Sequence, residues 1–113
     1  PPFLAVLKRH RPDSFLLSEG VDGFSLSMDY HPGQSGRVNL EAALSRLTDE
    51  VVLPAGGRFY LAKDSVLTPE QMHRSFGIDA VDSFLSLKRR LDPGEIFQSD
   101  MYRRLFAPFA AGV

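Results

Sequence analysis

The sequence contains no cysteine, which excludes disulfides and every thiolate-based zinc site. No apolar run approaches the ~20 residues needed to span a bilayer. No signal peptide or lipidation motif stands at the start, and a cytoplasmic protein is expected on these grounds. Charge of either sign is not in excess. Thirteen Lys and Arg against 14 Asp and Glu leave a formal net charge of −1. There is thus no basic field to hold nucleic acid or an anionic membrane. Signatures with a fixed spacing are missing too. The chain has no GxGxxG for a dinucleotide, no GxxxxGK[ST] phosphate loop and no GxSxG nucleophile elbow. His10, His31 and His73 show no HxH, HxxxH or HExxH spacing, so no metal site is expected. Internal repeats and low-complexity stretches are absent.

What remains is ordinary globular material. A content of 43% hydrophobic and 24% charged residues over 113 positions suits one folded domain rather than a disordered tail. The chain opens Pro1-Pro2-Phe3, without methionine, and runs straight into an apolar segment. That opening is expected of a cut inside a longer protein.

Phe3 to His10 reads as a strand or a helical turn, too short for periodicity to arbitrate. Arg11 to Ser14 is a turn signal. Phe15 to Leu17 suggests a short strand, and Ser18 to Gly23 a loop. Phe24 to Tyr30 alternates cleanly. Phe24, Leu26, Met28 and Tyr30 point one way, and Ser25, Ser27 and Asp29 the other, which predicts a strand. Leu40, Ala43, Leu44, Leu47 and Val51 make one apolar stripe on a helix from about Asn39 to Val52. Pro54 to Gly57 stops it. Arg58 to Ala62 reads as a short strand. Thr68, Pro69 and Gln71 carry the signs of a capped helix start, and this helix ends near Phe76-Gly77. A third helix is predicted over Asp79 to Leu91, with Lys88-Arg89-Arg90 in its last turn. Ile96 and Phe97 read as anchors folding the chain back. Ser99 caps a last helix, Asp100 to Phe106, before a tail from Ala107 to Val113. Strands followed mainly by helices argue for an α+β fold of antiparallel strands with flanking helices.

Two groups of residues offer chemistry. In Gly56 to Asp64 (GGRFYLAKD), paired glycines precede a strand on which Tyr60 and Ala62 share a face. Lys63 stands at its end, where a cation can stabilise a developing anion. The plainer alternative is a solvated Lys63 paired with Asp64, and Tyr60 at a core edge. Ser25, Ser27 and Asp29 are either a site wall of small donors and one carboxylate, or the wet face of a half-exposed strand. Arg103-Arg104 and Lys88-Arg89-Arg90 sit where helix ends favour cations.

The stretch GGRFYLAKDS (Gly56 to Ser65), with LDPGEIFQSDMYRRL (Leu91 to Leu105) downstream and GFSLSMDYHP (Gly23 to Pro32) upstream, resembles the C-terminal end of FAD-linked oxidases of the vanillyl-alcohol-oxidase superfamily. The likeness is closest to the branch containing decaprenylphosphoryl-ribose oxidase; sugar-lactone oxidases are more distant. It implies a partial domain of a larger enzyme. Residues 1–54 would end the substrate (cap) domain, and 55–113 would return to an FAD-binding domain missing here, the two forming one compact unit. It further implies FAD in the full-length protein but not on this piece alone, and a sugar-type small-molecule substrate oxidised at a CH–OH group. By position, Lys63 and Tyr60 match residues beside the flavin and substrate. Ser25, Ser27 and Asp29 match the strand face turned to the substrate, with Lys63, Tyr60 and Asp29 in the catalytic group. Two other classes stay open: a non-catalytic α+β binding module, and a homo-oligomer formed through apolar surface that a severed domain exposes.

Overall fold

The computed structural model describes residues 1–31 and 33–110, with only the backbone for Gln34, Ser35, Arg37 and Val38. The last three residues of the expected tail therefore lie outside the described residues. The fold is α+β: a two-stranded antiparallel sheet followed by helices.

Strand β1 (Leu4–His10) pairs with β2 (Gly23–Asp29), Leu4 opposite Asp29 and His10 opposite Gly23. The ambiguous first segment is thus a strand, because a neighbour supplies its ladder. Opposed residues share a face in antiparallel pairing. One face gathers Ala5, Leu7 and Arg9 with Phe24, Leu26 and Met28; the other gathers Leu4, Val6, Lys8 and His10 with Ser25, Ser27 and Asp29. Burial reverses the usual order. Phe24 and Leu26 are 67% and 56% exposed, while Ser25, Ser27 and Asp29 are half-buried. Phe15 to Leu17 forms a turn instead of a strand, and Phe15 is exposed. The loop after it is organised by Asp13. Its carboxylate accepts from the Ser18 hydroxyl (2.7 Å) and the Phe15 N–H (3.0 Å), and the Ser18 oxygen takes the Gly20 N–H (2.9 Å). The Ser18 bond, then the Phe15 bond, hold the Asp13 pKa below its ordinary value.

Helix α1 (Gln34–Leu47) begins earlier than Asn39 and passes into a π-helical turn, Thr48–Val52. Thr48 donates its hydroxyl to the Leu44 carbonyl at 2.9 Å, a back-bond of the kind that bends helices. The expected apolar stripe is not a core face. Leu47 and Val51 are exposed and Leu40 and Leu44 only partly covered.

Helices α2 (Pro69–Phe76), α3 (Ile78–Leu91), α4 (Asp100–Leu105) and α5 (Ala107–Ala110) follow. The capping box is present, with Gln71 N–H on the Thr68 hydroxyl (3.2 Å) and Thr68 N–H on the Gln71 amide oxygen (3.1 Å). Ser99 caps α4 through the Tyr102 N–H at 3.1 Å. The core is Leu67, Met72, Phe76, Val81, Leu85, Tyr102, Leu105 and Phe106, with Leu17, Phe59 and Leu61 among the residues packed against it. Among the described residues, all eight buried apolar residues fall between positions 67 and 106.

One ion pair closes this core. Asp64, whose side chain is 5% exposed, meets the Arg104 guanidinium at 2.8 Å. The other Asp64 oxygen accepts the N–H groups of Val66 and Leu67, both at 3.1 Å. Arg104 also donates to the carbonyls of Leu67 (2.6 Å) and Asp64 (3.3 Å). The segment entering α2 is thereby tied to α4. Replacing Asp64 by Ala leaves a half-buried guanidinium without its carboxylate, at an expected cost of about 2–3 kcal/mol. Lys63→Ala next door should stay within about 0.5 kcal/mol of the parent. Urea unfolding of the two variants checks the contrast, and equal losses would contradict it.

Candidate functional site

The segment from Gly56 to Asp64 begins with two glycines that serve different needs. Gly56 has φ +72°, a backbone region L side chains rarely adopt. Gly57 has no strain of that sort but no room either. A Cβ there would lie 2.5 Å from the Val52 side chain and 2.8 Å from its carbonyl. The Gly57 N–H instead donates to that carbonyl at 2.8 Å, closing the π turn.

Arg58 to Ala62 is not a strand. The alternation is real, since Phe59 and Leu61 turn toward the core while Arg58, Tyr60 and Ala62 are exposed. Among the described residues no neighbouring strand offers a ladder, and the chain instead tightens into a 3₁₀ turn, Leu61–Lys63. The Lys63 N–H donates to the Tyr60 carbonyl at 3.0 Å, so the two residues stand one 3₁₀ turn apart. Both side chains are exposed. The Lys63 ammonium has no hydrogen bond or ion pair among the described residues, because the carboxylate beside it is engaged with Arg104. The alternative pairing of Lys63 with Asp64 is therefore overturned.

Ser25, Ser27 and Asp29 do come together, on one face of the ribbon with Lys8 and His10. Ser25 is already engaged: its Oγ lies 2.6 Å from His10 Nε2. Sequence reasoning passed over this histidine because it sought metal spacings, which no cross-strand pair displays. Among the described residues no hydrogen bond or ion pair joins this strand face to Tyr60 or Lys63. Two shallow hollows lie elsewhere, one along α3 from Asp79 to Arg90 and one between Phe84, Lys88, Phe97 and Tyr102.

The downstream motif is organised by Asp92. This buried carboxylate accepts the Lys88 ammonium and the backbone N–H groups of Ile96 (2.9 Å) and Phe97 (3.0 Å). Glu95, at φ +49°, shapes the turn and accepts the Tyr102 hydroxyl at 3.2 Å. Burial, then that contact, raises the Tyr102 pKa. Ile96 and Phe97 are not anchors, being 80% and 77% exposed. Their backbones are fixed and their side chains displayed.

No protein-family model matches the chain. Over 104 residues, 91% of this chain, it is 36% identical to decaprenylphosphoryl-β-D-ribose oxidase of Mycolicibacterium smegmatis. The predicted resemblance holds. A Streptomyces coelicolor protein named for its place in the mprA 5′ region is 38% identical over 89 residues, 79% of this chain. The matches cover 21% and 23% of those proteins, so the chain spans about a fifth of the length of the curated relatives it matches. The similarity to the ribose oxidase runs through nearly the whole chain, so clamp, displayed loop and ribbon are weighed together. No helix among the described residues is long and apolar enough to cross a membrane.

The Asp92 hub makes a pH prediction. Hydrogen bonding from Lys88, then from the Ile96 and Phe97 N–H groups, holds its folded pKa below the ordinary 3.8. A depressed carboxylate contributes stability that is complete above its ordinary value and lost as pH falls through it toward the folded value. Asp92→Asn should therefore be less stable than the parent at pH 7, the gap narrowing below about pH 4. Denaturation midpoints across that range check this; a gap constant with pH would refute it.

Proposed function

We propose that this chain is the C-terminal part of an FAD-dependent oxidoreductase acting on the CH–OH group of a sugar or sugar-derived alcohol, and that it is inactive alone. The observation that carries the reading is the 36% identity to a decaprenylphosphoryl-ribose oxidase along 91% of the chain. Support comes from the surface. The Phe24–Leu26 face and the Ile96–Phe97 pair leave large apolar side chains in water, which suits surfaces that another part of a longer polypeptide covers.

The residues present fit part of a flavin. Lys63 holds an outward ammonium with no counter-ion among the described residues, which suits the edge of an isoalloxazine that gains negative charge on reduction. The sequence has no glycine-rich phosphate loop, so the pyrophosphate falls to the N-terminal FAD-binding domain, outside this chain. Flavin, when bound, would supply the acceptor for the hydride of the CH–OH carbon, and the hydroxyl proton would pass to the Asp29 carboxylate. Lys63 stabilises the resulting charge without moving. Tyr60, one turn away, donates its hydroxyl to the substrate. Ser25 and Ser27 hold substrate hydroxyls, and Asp29 completes that wall as its one carboxylate. Residues 1–54 belong to the substrate domain on this reading, and 55–113 to the segment that rejoins the FAD domain in a cytoplasmic enzyme.

The longer polypeptide containing this chain should show the visible bands of oxidised flavin, bleached by a sugar alcohol. Lys63→Ala should slow the bleaching about 10²–10³-fold, with flavin still bound. The 113-residue chain alone should be colourless. A colourless longer protein would favour a binding module, and stoichiometric flavin on residues 1–113 would refute the division proposed.

A further inference from the structure

The His10–Ser25 pair has a geometry with consequences. His10 stands opposite Gly23 in the ladder, with Ser25 as its diagonal neighbour on the same face. Glycine offers no side chain to block the imidazole, which leans across to Ser25 at 2.6 Å in a partly buried position. The His10 backbone is held as well, since the Arg9 guanidinium donates to the carbonyls of His10 and Gly23.

A serine hydroxyl has one proton to give. If Nε2 is bare, Ser25 donates to it and shows only lone pairs to anything else. If the ring is protonated, both nitrogens are donors, Ser25 becomes the acceptor, and its own O–H is released. We propose that His10 is a positioning residue that sets the hydrogen-bonding sense of Ser25. With His10 neutral Ser25 can only accept from a ligand hydroxyl, and with His10 protonated it can donate to a ligand oxygen, a ketone's included. The choice of ligands rests on the sugar-oxidation reading, in which an alcohol and its ketone are substrate and product. The charged groups around the pair are Lys8 and Asp29 on the same face and Arg9 on the other. Asp13 of the following loop also feels the His10 charge, with Arg58 beside it.

The pair is tested first in this chain by long-range ¹H–¹⁵N spectra of the imidazole. Neutral His10 should carry its proton on Nδ1, and Ser25→Ala should shift the population toward Nε2–H. A neutral His10 already protonated on Nε2 overturns the proposal. In the longer flavoprotein, inhibition by the ketone matching a sugar alcohol should tighten about three- to tenfold as His10 is protonated. His10→Phe should remove that slope, and a pH profile unchanged in that variant also overturns the proposal. Should the longer protein carry no flavin, the oxidoreductase reading falls, while the imidazole spectra still decide the His10–Ser25 assignment.

Discussion

The pairing of Asp64 with Arg104 is the constraint from which the rest of the structure follows. A carboxylate so nearly removed from water is tolerable only with its oxygens fully engaged. Here one oxygen takes the guanidinium and the other two backbone N–H groups, while Arg104 uses further donors on the carbonyls of Asp64 and Leu67. Two segments forty residues apart are thereby locked into one unit, and Leu67 is delivered into the core beside Leu105 and Phe106. Asp64 and Arg104 are the two halves of this one clamp.

Much of this was legible, and the failures are instructive. The capping box at Thr68–Gln71, the Ser99 cap and the helix with Lys88-Arg89-Arg90 in its last turn follow from local chemistry, and each is in place. Arg58 to Ala62 failed differently. Its alternation correctly separates Phe59 and Leu61 from Tyr60 and Ala62, but a strand also needs a neighbour, and period two does not report one. The π turn after α1 depends on Thr48 back-bonding and on Val52 receiving the Gly57 N–H, neither of which leaves a periodic trace. Ile96 and Phe97 were misjudged because hydrophobicity suggests burial, whereas Asp92 grips their backbones and leaves the side chains out. For the candidate site, the residue types on the Ser25–Asp29 face were readable from alternation. The partnership of Ser25 with His10 required the strand register.

The exposed apolar surface belongs to the same logic. A two-stranded ribbon is marginal in water unless something covers one face. This ribbon's extensive packing is between its own strands, and what shields the open side is modest: Arg9 lies 5.5 Å over the Phe24 ring. On the proposed reading, the remainder of a longer polypeptide completes that cover. The half-burial of Ser25 and Ser27 against the openness of Phe24 and Leu26 fits a ribbon whose apolar side awaits packing and whose polar side faces a ligand.

Lys63 and Asp64 are adjacent, oppositely charged and opposite in fate. Had they paired with each other, the ammonium would be held by its neighbour and the clamp to Arg104 lost. Because Asp64 is drawn inward by more numerous donors, the backbone at Lys63 is tied to the buried pair, while its side chain stays exposed. Precise sites are built this way, with a reactive group on a chain position fixed by neighbours that take no part in the chemistry. Gly57 adds to it from the other side, since its contact with Val52 fixes where the chain enters the Tyr60–Lys63 turn. A lysine on a loose loop would have to be ordered each time charge developed beside it. On the proposed reading, folding orders the backbone that carries Lys63, through the carboxylate one residue away.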